Sequence, residues 1–392
     1  MRILHTSDWH LGRRFEQEPL EADQRRALEW LVDLVAAERV DLVVVAGDVY
    51  DRALPAEEAV TLLDDALDAL VGAGATVLLV PGNHDSARRL GFGAGRQALG
   101  GVRVVADTRV KPEPWVFEAG TERVAVVAVP FLDPLTAPAP TPAADGSPRP
   151  RTHQHVLEDA LAAGRAGLAG LAGVPSIAVA HAFVAGGMSS DSEKLLAVGG
   201  ADVVDAAVFD GFDYVALGHL HRPQTVGAGG RIAYSGSLLP YSFSEDHGKS
   251  VRLLEVSGGA VTDVTDVPIP VGRPVVTLEG RLDDLLVDPA CEPFVDAWVA
   301  VRLTDDTVQV QPMERLRGRF PHAVNVRYAP SRAGSPGTPS FEAARVEARA
   351  PDALVLDFLE EVRGRPPGEP ERALVVDAVA RAVAARTVGG EP

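Results

Sequence analysis

Carboxylate, imidazole and amide side chains of the kinds that bind metal ions follow several short apolar stretches of this 392-residue sequence. The clearest stretch is Leu42–Ala46, five apolar residues of which three are β-branched, followed by Gly47 and the carboxylate of Asp48. Such a run is typical of a buried strand. A carboxylate just past a buried strand is poorly solvated unless a positive charge compensates it, and no Lys or Arg lies within three residues of Asp48. We therefore interpret Asp48 as a carboxylate shared by two metal ions.

Four further apolar stretches end in the same way. The other candidate ligands that follow them are Asp8, His10, Asn83, His181, His219 and His221. Each one alone is a weak or moderate signal, because a single histidine is more often a packing or helix-capping residue. In parallel α/β sheets, however, ligands bind at the carboxyl ends of the strands, so we expect these side chains to meet at one edge.

The number and types of these ligands indicate the metal ions and the reaction. Seven oxygen and nitrogen ligands are too many for one ion and suit two, and a pair of divalent ions can stabilise both the attacking and the leaving oxygen of a phosphoryl transfer. Imidazole mixed with carboxylate suits Mn, Fe or Zn better than Mg or Ca. The single cysteine, Cys291, excludes an intrachain disulfide and a cysteine-based metal site.

His84 and Asp85 directly follow the candidate ligand Asn83. If Asn83 binds a metal ion, the side chain of His84 points elsewhere, and Asp85 is adjacent to orient it. A cationic imidazole beside the metal ions would stabilise charge on the leaving oxygen or protonate it. We therefore expect His84 and Asp85 to be catalytic; the alternative is that His84 only packs near the site.

The pattern between these motifs predicts an α/β domain with a parallel core. Helical spacing of apolar residues marks residues 21–39 and 55–71, each between two apolar strands. A more β-rich part continues to about residue 267. It contains a Pro- and Ala-rich stretch at 133–150, which we interpret as a flexible loop, and a predicted helix at 152–171.

The composition changes near residues 268–273, after which no strand ends in histidine. Strand and helix patterns alternate over 275–329, which predicts a small α+β domain, and the Gly/Pro/Ser-rich residues 331–340 predict a long loop. Two short helical patterns at 354–362 and 372–385 cannot bury much alone, so we expect them to dock on something. The expected parts are residues 1–270, 271–347 and 348–392.

The net charge is −18, from 37 basic and 55 acidic residues, and nearly all the basic residues are arginine. This balance is unusual for a protein that binds nucleic acid alone, although a local arginine patch or a partner could supply positive charge. No apolar run reaches membrane-spanning length, and the polar start of the chain does not fit a signal peptide. We therefore expect a cytosolic protein.

The order of the motifs, D-x-H, G-D, G-N-H-D, a single strand-end H and G-H-x-H, resembles that of the calcineurin-like metallophosphoesterases. Within this superfamily, four segments resemble the SbcD family of nuclease subunits: Leu4–Gly12, Tyr214–His221, Ser235–Leu238 and Tyr241–Glu245. The resemblance is strong over roughly residues 1–270 and rests on layout alone beyond them. It implies a β-sandwich flanked by helices, with a small α+β capping domain and C-terminal helices.

The resemblance also implies a role for each motif residue. It implies two sets of ligands, Asp8, His10 and His221 for one metal ion and Asn83, His181 and His219 for the other. Asp48 would bridge the two ions, and His84 would be the catalytic histidine. One position departs from many archaeal and eukaryotic relatives, which have a histidine where this chain has Asp51. A direct copy of their phosphate contact is therefore not expected.

The activity implied by the resemblance is Mn²⁺-dependent hydrolysis of DNA phosphodiesters, exonucleolytic at double-stranded ends and endonucleolytic at hairpins and single strands. Members of the family act with the coiled-coil ATPase SbcC in DNA repair and recombination. They dimerise through the phosphoesterase domain, which implies a homodimer within a heterotetramer at the nucleoid, and they bind SbcC through C-terminal helices. The arginines next to the site motifs are candidate phosphate contacts, and they are Arg13, Arg14, Arg88, Arg89 and Arg96.

Two other functions are compatible with parts of the pattern. A small-molecule or cyclic-nucleotide phosphodiesterase, or a protein phosphatase, would use the same ligands, but it needs neither the small domain nor the tail. An inactive scaffold for an ATPase would need the tail, but it has no reason to keep seven metal-binding side chains at strand ends.

Overall fold

The computed structural model describes residues 1–193, 203–227, 229–328 and 350–388. The chain divides into two compact units. The first consists of Met1–Thr277, Phe294–Ala300 and His322–Val324, and the second of Leu278–Pro293, Val301–Pro321 and the described part of Asn325–Pro392. The loop expected at 331–340 lies outside the described residues. The domain boundaries expected after residues 270 and 347 remain predictions.

Two six-stranded sheets form the centre of the first unit. The strands of the first sheet are β1 (Arg2–Thr6), β4 (Leu42–Ala46), β5 (Thr76–Val80), β6 (Val102–Val104), β15 (Ser250–Ser257) and β16 (Ala260–Pro268). Those of the second are β7 (Trp115–Ala119), β8 (Glu122–Ala128), β9 (Ser176–His181), β12 (Tyr214–Gly218), β13 (Gln224–Val226) and β14 (Ile232–Tyr234). Two short pairs complete the unit, β2 (Arg14–Phe15) with β3 (Glu18–Pro19) and β10 (Phe183–Val184) with β11 (Val203–Val204).

The strand order is β16-β15-β1-β4-β5-β6 in the first sheet and β13-β14-β12-β9-β8-β7 in the second. The inner strands of both sheets are parallel, as in the pairs β1–β4, β4–β5, β8–β9 and β9–β12. Three of the four outer pairs, β15–β16, β7–β8 and β13–β14, are antiparallel, and the fourth, β5–β6, is parallel. The predicted α/β class with a parallel core is confirmed.

Helices cover the outer face of each sheet. The helices of the first unit are α1 (Glu21–Glu38), α2 (Glu57–Gly72), α3 (Ala87–Leu90), α4 (Ala94–Gln97) and α5 (His153–Leu168), with 3-10 helices at Ala98–Gly100 and Ala206–Phe209. Apolar residues of α1 and α2 pack on the first sheet, and those of α5 pack on the second. A third cluster fills the space between the sheets. The unit is therefore a helix–sheet–sheet–helix sandwich.

Strand β4 illustrates why its sequence is continuously apolar. Val43 and Val45 face the helices α1 and α2, whereas Leu42, Val44 and Ala46 face the second sheet. Successive side chains of a strand point to opposite faces, so a strand covered on both faces needs no polar position. The buried strand predicted from this run is confirmed.

Residues 275–328 follow the predicted alternation of strands and helices. A three-stranded sheet, in the order β17-β18-β19, consists of Val275–Gly280, Trp298–Leu303 and Ala323–Tyr328. The helices are α6 (Leu282–Leu285), α7 (Pro312–Arg317), α8 (Pro351–Arg363) and α9 (Glu369–Val388), with a 3-10 helix at Pro289–Phe294. Both tail helices are longer than their apolar patterns; α8 starts at a proline and ends at Gly364, whose φ of 67° suits glycine. None of the described helices combines the length and apolar composition that crossing a bilayer requires.

Candidate metal centre

Both sheets of the first unit contribute residues to one buried cluster at the carboxyl ends of their parallel strands. From the first sheet, Asp8 and His10 follow β1, Asp48 follows β4, and Asn83 follows β5. From the second sheet, His181 is the last residue of β9, and His219 and His221 follow β12. The side chains expected at one sheet edge thus come from two sheets that face each other.

Asp48 lies between the two sets of side chains that the family resemblance implies. Its Oδ2 atom is 3.6 Å from His10 Nε2 and 3.4 Å from His181 Nε2. Among the described residues, three groups of ligand-type atoms lie within 4.8 Å of one another: Asp8, His10 and His221; His10, Asp48 and His84; and Asp8, Asp48 and His181. A bridging carboxylate requires this central position.

The remaining candidate ligands complete the two sets. His10 Nε2 is 3.1 Å from His221 Nε2. The Asn83 Oδ1 atom is 2.9 Å from His181 Nε2 and 3.1 Å from His219 Nδ1. Two ring nitrogens that face each other at hydrogen-bond distance share one proton at most if both rings are neutral, so a lone pair is available there for a cation. Oxygen and nitrogen donors in this mixture fit two divalent transition-metal ions.

His84 and Asp85 take different positions in the cluster. The His84 backbone N–H donates to Asp48 Oδ1 at 2.8 Å, its ring Nδ1 is 2.8 Å from the carbonyl oxygen of Asp51, and its Nε2 is 3.9 Å from Asp48 Oδ2. The Asp85 carboxylate accepts hydrogen bonds from the backbone N–H groups of Val49, Tyr50 and Gly82, at 2.9–3.0 Å. The Asp51 carbonyl therefore contacts the His84 ring, whereas Asp85 joins the turns after β4 and β5.

The electrostatics of the cluster favour a bound cation. Burial raises the pKa of Asp8 to about 8, and the negative charge of Asp48 adds to the rise. Burial acts on Asp48 in the same direction, but the charge and hydrogen bond of His181 hold its pKa well below the usual value. Burial lowers the pKa of His10 to about 4. Burial also lowers the pKa of His181, but the charge and hydrogen bond of Asp48 outweigh it and raise that pKa to about 9. The buried Asp48 carboxylate is thus balanced by a proton on His181, and a divalent ion would take the place of that positive charge.

Four candidate ligands have a left-handed backbone conformation. The φ angles are 51° for Asp8, 44° for His10, 48° for Asp48 and 106° for His219. They are four of the seven non-glycine residues with positive φ in the described part of the chain. Such residues are uncommon and cluster at functional sites, where the surrounding structure holds them. Here Asp8 N–H donates to the Gly47 carbonyl at 3.0 Å and His10 N–H to the Asp48 carbonyl at 2.9 Å.

The glycines of the motifs leave room for the ligands. A Cβ atom at Gly82 would lie 2.2 Å from Asp48 Oδ1, and one at Gly218 would lie 1.9 Å from the carbonyl oxygen of Ala46. Both distances are far below any van der Waals contact. Gly218 in G-H-x-H is thus required by the close approach of the two sheets at this end, and Gly82 in G-N-H-D by the close approach of the turns after the neighbouring strands β4 and β5.

The side chains that surround His221 were not among the residues predicted from the sequence. Its Nδ1 atom is 2.7 Å from Ser192 Oγ and 3.2 Å from Glu245 Oε1. Glu245 forms a buried ion pair with Lys249. The available signals were the place of Glu245 in the Tyr241–Glu245 segment and the rarity of lysine, which occurs only at 111, 194 and 249.

Of the five arginines singled out in the sequence, Arg13 lies at the cluster itself. Its guanidinium donates to Asp51 Oδ1 at 2.9 Å, and the same oxygen is 3.5 Å from His10 Nδ1. Arg89 donates to the carbonyl of Ala53 at 3.1 Å. Asp51 therefore links an arginine to a candidate ligand.

Comparisons with known proteins match most of the chain. The family model described as calcineurin-like phosphoesterase matches residues 1–223, and that described as type 5 capsule protein repressor C-terminal domain matches residues 271–363. The SbcD components of the SbcCD nucleases of Escherichia coli strain K12 and Escherichia coli O157:H7 are each 32% identical to this chain over 319 residues, which is 78% of this chain and 78% of the relative. The crystal structure of a dimetal phosphatase from Danio rerio is 14% identical, with a TM-score of 0.41, over 69% of this chain and 98% of that one.

Proposed function

Because this chain belongs to the calcineurin-like phosphoesterase family, we propose that it is a metal-dependent DNA nuclease of the SbcD kind. The family inferred from the sequence motifs is confirmed by the match to residues 1–223. The observation that carries the proposal is the meeting of two ligand sets at Asp48 in a chain that is 32% identical to nuclease subunits. The reaction is hydrolysis of phosphodiester bonds.

We propose that two divalent metal ions, Mn²⁺ in particular, bind to the seven candidate ligands. Asp8, His10 and His221 would hold one ion, Asn83, His181 and His219 would hold the other, and Asp48 would be shared by both. Bound ions of this kind lower the pKa of water and offset the negative charge of the phosphodiester. The ligand sets rest on the distances between their donor atoms and on the resemblance of the motifs.

The hydrogen bonds of the cluster define what each protein group does. The Asp48 Oδ1 atom accepts the His84 backbone N–H, which leaves Oδ2 directed at the imidazoles. A carbonyl oxygen only accepts, so His84 Nδ1 carries the proton that it donates to Asp51, and its Nε2 faces the cluster. We infer that a proton held on His84 Nε2 is given to the leaving oxygen. Asp85 is then a positioning residue, since its carboxylate holds the backbone of the turns after β4 and β5, which carry Asp48 and Asn83.

The substrates and partners follow from the same family. The proposed activity is exonucleolytic on double-stranded DNA ends and endonucleolytic on hairpins and single strands, in the cytoplasm at the nucleoid. We propose a homodimer that assembles with an SbcC-like coiled-coil ATPase through α8 and α9. Phe358 and Leu374 on these helices are 54% and 70% exposed, which leaves apolar surface for a partner. The net charge of −18 suits a nuclease whose partner supplies part of the DNA-binding surface.

The test compares substrates and one pair of matched variants. The purified chain, with and without an SbcC-like ATPase, is given Mn²⁺ and linear duplex DNA, a plasmid hairpin or a cyclic nucleotide. We expect cleavage of both DNA substrates by the wild type and by Asp65→Asn, whose carboxylate is exposed, and none by Asp48→Asn. Turnover of the cyclic nucleotide alone would indicate a small-molecule phosphodiesterase. A wild-type chain that binds no metal ion would indicate a scaffold.

A further inference from the structure

The ring of His221 has an inner and an outer nitrogen. Its Nε2 atom faces the cluster, 3.1 Å from His10 Nε2. Its Nδ1 atom faces away, 2.7 Å from the hydroxyl of Ser192 and 3.2 Å from Glu245 Oε1. The hydrogen bonds of the outer nitrogen therefore determine the tautomer and the orientation of the ring.

Glu245 is one half of a buried pair of charges. Glu245 and Lys249 are 1% and 8% exposed, and the Lys249 ammonium donates to the Glu245 carboxylate. It also donates to Ser237 Oγ at 2.9 Å and to the carbonyl oxygen of His221 at 3.1 Å. All three hydrogens of the ammonium thus have acceptors, one of them on His221 itself.

The donors and acceptors around Ser192 allow one consistent arrangement. An ionised carboxylate accepts only, so the Ser192 hydroxyl, which contacts Glu245, gives its hydrogen to that carboxylate. The hydroxyl oxygen then accepts the Nδ1–H of His221. The proton of the ring is on Nδ1, and the lone pair of Nε2 is directed into the cluster.

We propose that Glu245 is a positioning residue for the metal ion held by Asp8, His10 and His221, acting on the His221 ring directly and through Ser192. Lys249 holds Glu245 in place. The inference rests on the proposed metal centre and goes beyond it by assigning residues that do not bind the ion. Partners of this kind fix the ring of a metal-binding histidine and increase its basicity.

A purely structural role explains this arrangement poorly. Two buried charges lose their hydration, and an apolar pair of similar volume usually packs as well or better. Here both members of the pair contact the candidate ligand His221. Glu245 contacts its ring, and Lys249 donates to its carbonyl oxygen. His221 is held at a third atom as well, because its backbone N–H donates a hydrogen bond to Glu193 Oε1 at 2.7 Å.

The experiment measures Mn²⁺ binding to the metal-free protein by titration calorimetry, without DNA. We expect two binding events in the wild type. In Glu245→Gln, the neutral amide no longer enforces the Nδ1–H tautomer of His221. The Mn²⁺ affinity of one binding event should therefore fall by about 10–100-fold, while the affinity of the other event stays unchanged. Ser192→Ala, at the half-buried end of the relay, should weaken the same event by a smaller factor. The control is Glu255→Gln, an exposed carboxylate paired with Arg2, which should bind as the wild type does.

Three outcomes overturn the inference. In the first, Glu245→Gln binds Mn²⁺ with wild-type affinity at both events. In the second, Glu245→Gln weakens both events equally. In the third, the wild type shows no Mn²⁺ binding event. If Glu245→Gln does not fold, as judged by circular dichroism, Ser192→Ala decides, and unchanged binding in that variant overturns the inference. Because the readout is binding without substrate, a wild type that binds two ions but does not cleave DNA contradicts the proposed nuclease activity and leaves this inference standing.

Discussion

The two oxygens of Asp48 have separate tasks. Oδ1 accepts the His84 backbone N–H at 2.8 Å, and Oδ2 faces the rings of His10, His181 and His84 at 3.4–3.9 Å. One oxygen is therefore fixed by the chain, and the other is left for metal ions. The same hydrogen bond fixes the backbone of His84 beside Asp48.

This placement gives the first prediction. His84→Gln removes the imidazole that is proposed to give a proton to the leaving oxygen, so kcat for DNA cleavage should fall by about 10²–10⁴-fold. Mn²⁺ binding by calorimetry and DNA binding by fluorescence anisotropy should stay within a factor of about three, since neither depends on that proton. Loss of an Mn²⁺ binding event would mean that His84 is a ligand.

His5 gives a prediction for the stability of the metal-free protein. Its Nδ1 atom is 3.0 Å from the Tyr214 hydroxyl and its Nε2 atom 3.1 Å from the Leu217 carbonyl. Burial lowers its pKa to about 3, and the charge of Arg252 adds to this. The unfolded chain takes up the proton below about pH 6.5 and the folded chain only near pH 3, so the stability contribution is lost as the pH falls between these values.

The measurement is urea unfolding in EDTA at pH 7 and pH 5. The wild type should lose about 2 kcal/mol more than His5→Gln between the two values, since one pKa unit corresponds to about 1.4 kcal/mol. A His155→Gln variant controls for the removal of a histidine as such. Equal losses in the wild type and in His5→Gln would show that His5 does not titrate in this range.

The candidate ligands were predictable from the local sequence around each residue, whereas the side chains that contact these ligands were not. Asp48 and His181 follow apolar runs, which is a local pattern. The contact of Ser192 with Glu245 spans 53 residues, and nothing in the sequence near either residue indicates the other. Asp85 was expected to orient His84. Its carboxylate oxygens instead accept hydrogen bonds from backbone N–H groups in the turn after β4, a contact that the sequence near Asp85 does not indicate.

At the scale of the elements, the strands were predictable and their division into two sheets was not. The apolar run of β4 indicates burial on both faces, and the helices α1 and α2 follow from their spacing. Strand β1, however, pairs with β15, which lies about 250 residues later, and no local pattern indicates this partner. The convergence of the ligands was expected from their places at strand ends, whereas their origin in two sheets was implied only by the sandwich of the family resemblance.

The turn after β5 gives the third prediction. In Gly82→Ala, the new Cβ would lie 2.2 Å from Asp48 Oδ1, so either the turn or the bridging carboxylate must move. We expect a loss of about 1–3 kcal/mol in stability, as for overpacking elsewhere, together with weaker Mn²⁺ binding at both events. Urea unfolding and calorimetry measure the two effects.

The matched control is Gly95→Ala in α4, where an added Cβ meets no atom within 4 Å. This variant should keep wild-type Mn²⁺ binding and be unchanged or slightly more stable, since alanine is the better helix former. Equal effects of both substitutions would contradict the steric argument at Gly82.

For the whole molecule, the tail gives the fourth prediction. A chain that ends before Pro351 lacks α8 and α9 and should no longer co-purify with the SbcC-like ATPase. It should still hydrolyse a small model phosphodiester with Mn²⁺ at the wild-type rate, because the metal centre lies in the first unit. Retention of the complex by the shortened chain would refute the assignment of the tail helices.

The fifth prediction concerns DNA binding by a chain of net charge −18. If Arg88 and Arg89 contact phosphates, the double alanine variant should show a slope of log Kd against log salt that is smaller by about 2, since each phosphate contact contributes about 0.9. Fluorescence anisotropy with duplex DNA measures the slope. Arg123→Ala, which removes an arginine paired with Glu118, is the control, and an unchanged slope in the double variant excludes these arginines from the DNA contact.

The origin of the ligands in two facing sheets has a consequence for folding. His181 Nδ1 is 3.0 Å from the Ala46 carbonyl, and His219 N–H donates to Asp8 at 3.0 Å, so polar contacts already join the sheets at this end. Any ion shared by both ligand sets acts there as a cross-link between segments as distant as residues 8 and 221, and the early and late halves of the polypeptide must dock before it can form. The cation therefore binds only after both halves have folded and docked. At a free concentration 100 times Kd, it would add about 2.7 kcal/mol to the free energy of unfolding of the fully folded chain. It would add nothing to the stability of a chain in which only one half has folded.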